Sequence, residues 1–170
     1  MRMKLLHSKL VAFTSLALWI VYSGIAAAQG TSPLVGAWQE VAIDNVDTSG
    51  AHSQAYGPNP LGMWIFTANG NFSALLARPD LPPIASNNRT TATPDEGKAI
   101  VAGSLAYAGT YTVDPATKTL TMHIQVSTFS NWKGTDQKRT YAIDGDTLTL
   151  TNSTGSTLGG TAINTLKRSR

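Results

Sequence analysis

The chain has 170 residues, 13 of them Lys or Arg and 10 Asp or Glu, and no cysteine. Residues 1–28 hold three of the basic residues and none of the acidic ones, so the remaining 142 carry ten charges of each sign. Balanced charge leaves no footprint for nucleic acid or an anionic membrane, and the lack of cysteine excludes a disulfide framework, so the core of one domain must supply the stability.

In chain order, Arg2, Lys4 and Lys9 precede the apolar run LVAFTSLALWIVYSGI, which ends in Ala26-Ala27-Ala28 before Gln29. That is the order of a secretory signal, and cleavage would leave residues 29–170 as the exported domain, periplasmic or secreted, with no stable membrane insertion. The alternative is a retained anchor, for which 16 apolar residues are short. The residues leave oligomeric state open.

Eight strand-like segments follow, at 34–43, 60–67, 72–78, 106–113, 119–127, 137–143, 147–152 and 161–167. Short connections between nearly all of them predict an antiparallel meander. Asn69-Gly70 and Asp144-Gly145 read as two-residue hairpin turns, and Asp114 to Lys118, with Pro115, as a longer hairpin loop. One helix is expected between the third and fourth strands, opened by a capping box in Thr93-Pro94-Asp95-Glu96 and running to about Leu105. Gly97 and Gly103 weaken it, so docking on the sheet is expected to hold it. The preceding RPDLPPIASNNRT is a long polar loop, either mobile or a lid.

Eight antiparallel strands in so short a chain avoid exposed edges most simply by closing, which predicts an all-β up-and-down barrel of calyx type. Such a barrel is either filled by side chains or holds one small ligand. Leu61 to Phe66, LGMWIF, is apolar on both faces, and its outer face is expected to be covered by the helix, the loop or the N-terminal segment.

Gly36-Ala37-Trp38 matches the G-x-W of the lipocalins. In order, LVGAWQ, YGPNPLGMWIFTANGNFSA, TPDEGKA, AYAGTYTVD and FSNWKGTDQKRTYAIDGDTLTL resemble the bacterial and fungal lipocalin-like domain family over about residues 33–168. The resemblance implies a calyx-shaped barrel and leaves the ligand open. It also implies that Arg168 stacks across Trp38 to close the barrel base, both being structural, although Leu166 stands where members often carry a tryptophan.

A turn at Asp144-Gly145 would set Tyr141 opposite Leu148 and Arg139 opposite Leu150, so Arg139 and Tyr141 would share the inward face of the leucines. An inward arginine calls for a partner: a ligand anion, Tyr141 with water, or Asp136 at the mouth. Alternation in TLTMHIQVS opposes His123 to Leu120, Met122 and Ile124 and so favours solvent, whereas the family resemblance implies a lumenal histidine in this strand. Tyr107 and Tyr111 share one face, as ligand contacts or as core, and Trp132 stands either at the calyx mouth beside Asn131 or packed against the helix; Trp64 joins them as a wall residue.

No nucleophile elbow, P-loop, dinucleotide fingerprint or thiolate site is present, and only His52 and His123 lie beyond residue 28, so neither cofactor nor metal is expected. Three functions remain. One is an exported binder of a small, partly hydrophobic, anion-bearing molecule, held by Trp64, Tyr107, Tyr111, His123, Asn131, Trp132, Arg139 and Tyr141. Another is a cofactor-independent isomerase, cyclase or dehydratase, with His123 as acid or base and Arg139 and Tyr141 steadying negative charge. The third is a filled structural barrel.

Overall fold

The computed structural model describes residues 32–153 and 160–170; the expected signal, residues 1–28, lies outside them. The strands are β1 (Gly36–Val46), β2 (His52–Ser53), β3 (Leu61–Phe66), β4 (Asn71–Ala77), β5 (Ser104–Asp114), β6 (Thr119–Ser127), β7 (Asp136–Asp144), β8 (Thr147–Asn152) and β9 (Thr161–Arg168). All pairings are antiparallel between neighbours, and β1 pairs with β9, which closes an eight-stranded barrel to which β2 adds a two-residue flap on β1. Because β2 was not foreseen, the helix α1 (Pro94–Gly103) falls between β4 and β5 in the full count; among the eight barrel strands it keeps its place between the third and fourth.

The capping box forms: the Glu96 carboxylate accepts from Thr93 N at 2.7 Å, and Thr93 Oγ1 accepts from Glu96 N. Docking does not follow as expected. Only Gly103 of α1 is buried, with Leu81 and Arg78 close against it, and Val101 is 79% exposed. The polar loop is tied to the helix instead, through Ala85 N donating to Glu96 Oε1 and Arg78 N donating to Gly103 O at 2.8 Å, and an Arg78–Asp80 ion pair at 2.7 Å holds the loop locally.

Both predicted tight turns are displaced. At Asn69-Gly70 the pairing of Phe66 with Phe72 and the bond from Thr67 N to Asn71 O leave a three-residue loop, with Gly70 supplying the positive φ of 82°. At the β7–β8 hairpin, Asp144 pairs with Thr147, so the turn is Gly145-Asp146, with Gly145 at φ 55° in the first central position. Tyr141 therefore opposes Leu150 rather than Leu148. A slip of two residues preserves the face, so the inward placing of Arg139 and Tyr141 survives an error in register.

The core is built from inward side chains alternating along the eight barrel strands, with one break of phase in β1. Trp38, Trp64, Leu120, Met122, Ile124, Leu148, Leu150 and Leu166 are fully buried. At the closed end the Arg168 guanidinium stacks 4.0 Å from the Trp38 ring, as the resemblance implied, and donates to the carbonyls of Val35 and Pro33. Trp38 Nε1 donates to Leu34 O at 2.8 Å. On the outer face of β3, Leu61, Met63 and Ile65 are 56, 45 and 41% exposed, with Leu75 of β4 beside them; neither the helix nor the polar loop covers them, and the N-terminal segment, the third expected cover, lies outside the described residues. No helix among the described residues is long and apolar enough to cross a membrane.

Candidate functional site

β1 has two phases. Trp38 and Glu40 point inward at spacing two, a bulge between Glu40 and Ala42 slips the pairing with β9, and Ile43 and Asn45 then take the inward positions. β1 also leaves β3 after the Gln39–Met63 pair, and the chain between β2 and β3 carries Tyr56 into the wall there. This end of the barrel is thereby lined by polar groups: Asn45, Asn152, Asn164 and Arg139 surround a cavity of about 30 Å³, with Tyr56, Tyr107 and Trp132 among its walls. That volume has room for about two water molecules.

Arg139 is 4% exposed. Its Nη2 donates to the Tyr107 hydroxyl at 3.0 Å, and its guanidinium carbon lies 5.3 Å from the Trp64 ring centre and 6.0 Å from that of Tyr107. Its Nε has no partner among the described residues, and neither has Asn45 Nδ2. An unpartnered buried donor costs about 1–3 kcal/mol, so two at one small cavity mark a place suited to an acceptor. Trp64 fixes the arrangement from beneath: its ring meets Tyr107 edge-on, and its Nε1 donates to Glu40 Oε2 at 2.8 Å.

Glu40, 2% exposed, also accepts from Asn164 Nδ2 at 3.2 Å, while its Oε1 is unpartnered among the described residues. Burial pushes its carboxyl from the ordinary 4.5 up to about 7, against the opposing pull of the Trp64 and Asn164 hydrogen bonds and the Arg139 charge. Burial likewise holds the Tyr107 and Tyr56 hydroxyls above their ordinary value, so both are neutral donors at physiological pH.

Of the residues singled out in the sequence, Arg139, Tyr107 and Trp132 come together at this cavity, with Trp64 directly behind. Trp132 sits edge-on to Tyr107 and to Phe129, not against the helix. The others do not join them. Tyr111 is spent on structure, donating to Thr67 O at 2.9 Å. Tyr141 is buried beneath Lys118, whose Nζ lies 5.8 Å from the ring, away from the cavity lining. Asn131 is exposed. His123 faces outward, its side chain 52% exposed, with Nδ1 2.8 Å from Asp136 Oδ1. The lumenal reading of His123 is thus corrected: Leu120, Met122 and Ile124 take every inward position of β6, and alternation sends the histidine out.

Glu40 and Asn45 escaped the sequence reading. Counting by two from an inward Trp38 reaches Glu40 directly; Asn45 needed the bulge, which the sequence does not announce. A second depression, on the outside between β4, β5 and β6, is lined by Ser73, Leu75, Ala106, Ala108, Val126 and Thr128 among others and holds no charged group to orient a ligand.

The sequence profile of the family described as lipocalin-like domain matches residues 35–166. The chain belongs to the lipocalin-like domain family. Among solved structures it is similar to a lipocalin-like protein from Bacteroides uniformis ATCC 8492, at 12% identity and a TM-score of 0.43, over 80% of this chain and 98% of the other. No curated protein matches. In this lipocalin-like barrel the Trp38–Arg168 stack marks the closed end, and the polar cavity belongs to its other end.

Proposed function

We propose that this lipocalin-like protein is exported, with residues 1–28 removed as a signal, and that its barrel holds a small, partly hydrophobic molecule bearing a carboxylate or similar anion. The observation that carries the reading is Arg139: buried, with Nε unpartnered, at a cavity whose walls include Tyr107 and Trp132. A buried guanidinium with a free donor is complementary to a planar oxyanion, and the neighbouring Asn45 amide can supply a second bond. Ile43, Leu76 and Leu105 give the same cavity an apolar side for a short hydrocarbon tail. The space as it stands is that of about two waters, so even acetate requires Tyr56 or Trp132 to yield.

Thermal unfolding with acetate, propionate and butyrate, against the matching amides, tests this reading. Carboxylates at about 10 mM should raise the melting temperature of the wild type, the amides should not, and Arg139→Met should abolish the difference. A wild type unmoved by every carboxylate overturns it. Amino-terminal sequencing of the protein recovered from its host should begin at Gln29; Met1 would refute export by cleavage.

A cofactor-independent isomerase, cyclase or dehydratase in the same cavity is the second reading, and Glu40 favours it. A buried carboxyl titrating near neutrality beside an arginine has the properties of a general acid–base. It predicts a ligand converted by the wild type and merely bound by Glu40→Gln.

A further inference from the structure

Glu40 and Arg139 are the two charged side chains buried among the described residues, and both act on Trp64. Arg139 lies over the indole face, and Glu40 takes the indole N–H. They are not themselves in ion-pair contact, so the interior holds one positive and one negative group separated by an aromatic ring. With Glu40 ionised, this interior is neutral overall. An anion arriving at Arg139 would leave it with a net negative charge in a medium of low dielectric constant, which is costly.

The least costly relief is a proton on the one other negative group. We propose that each anion enters the barrel together with one proton, which Glu40 accepts, so that the site takes up the elements of a weak acid rather than a bare anion. The step balances: the anion arrives already ionised, a protonated buffer molecule or hydronium ion gives up the proton, an O–H bond forms on a Glu40 carboxyl oxygen, the anion stays at Arg139, and nothing is oxidised or reduced. This rests on the anion site proposed above.

The surroundings of Glu40 supply no other group to take that proton. From β3 it meets the Trp64 N–H and the glycine backbone at Gly62; from β9, the Asn164 amide and Leu166, its pairing partner. The charged group acting on it is Arg139 of β7. Tyr107 of β5 and Tyr56 of the loop before β3 are titratable, and burial holds both in the neutral form. Glu40 already carries its titration up to about 7, and a second negative charge nearby raises it further. The carboxyl is therefore largely ionised before binding at pH 8 and largely protonated after it.

Isothermal titration calorimetry with acetate, at pH 8 in triethanolamine and in Tris, reads the proton count from the dependence of the observed heat on the buffer's ionisation heat. The expected result is roughly one proton taken up per acetate at pH 8 and close to none at pH 5.5, with affinity falling up to about tenfold per pH unit above 7. Glu40→Gln should bind acetate at pH 8 about tenfold more tightly than the wild type, with no proton uptake. Binding by the wild type with no proton uptake at pH 8 overturns the coupling and leaves the anion site standing. Uptake that persists in Glu40→Gln overturns the assignment to Glu40. No binding by the wild type at either pH overturns the anion site and the coupling with it.

Discussion

Replacing Glu40 by glutamine should make the protein more stable at alkaline pH, although it removes a charge that interacts favourably with Arg139. The rise of the carboxyl from 4.5 to about 7 amounts to about 3 kcal/mol, at about 1.4 kcal/mol for each factor of ten in the ionisation constant. Because the folded protein holds this proton more tightly than the unfolded chain does, the carboxyl imposes no penalty below pH 4.5. The penalty grows through the window from 4.5 to about 7 and is complete above it. Glutamine mimics the neutral acid: its amide oxygen can accept from Trp64 Nε1 and Asn164 Nδ2, as Glu40 Oε2 does. Urea unfolding of both proteins from pH 4 to 9 gives the assay. The exposed carboxylates whose ionisation is favoured in the fold, Asp47, Asp80, Glu96 and Asp114, lose their contributions on the acid side in both proteins and cancel in the difference. The variant should match the wild type near pH 4.5 and exceed it by about 3 kcal/mol at pH 8, or roughly 10 °C in melting temperature for a domain of this size. A difference that stays flat across the pH range would refute the reasoning.

Three further outcomes follow from the geometry. Arg168→Ala, which removes the stack on Trp38 and the bonds to Val35 and Pro33 carbonyls, should cost about 2–3 kcal/mol in denaturant unfolding; an unchanged curve would mean that the closed end is held otherwise. Gly109→Ala would place a Cβ 1.9 Å from His123 O, across the bulge between β5 and β6, so it should lose more than about 3 kcal/mol; a change within about 0.5 kcal/mol contradicts the packing. Met63→Thr on the exposed face of β3 should change stability by no more than about 0.5 kcal/mol, and a loss above about 2 kcal/mol would show that something covers this face.

The architecture was legible because it rests on alternation and turn chemistry, both local. Leu120, Met122 and Ile124 announce the inner face of β6, and Thr93 with Glu96 announces the start of α1. Turn centres were less legible: one glycine with positive φ serves a two- or a three-residue loop equally well, and only pairing across strands decides between them. The inward Arg139 survived because a slip of two residues leaves parity intact. For His123 alternation and the family resemblance point opposite ways, and the exposed side chain follows alternation. Glu40 was within reach of the same counting; Asn45 was not, since the bulge in β1 reverses the phase between them. On the outer face of β3, Leu61, Met63 and Ile65 are apolar and yet neither the helix nor the polar loop meets them, so an apolar run alone does not say which segment lies against it.

The central claim is that an anion sits against Arg139 inside the barrel. Titrating acetate into ¹⁵N-labelled protein and following the Arg139 Nε–Hε resonance, assigned by its loss in Arg139→Lys, tests it most directly. The account predicts a saturable downfield shift of that proton as its unpartnered donor gains an acceptor. A resonance that stays in place through the titration, or moves only in step with exposed arginine side chains, would contradict it.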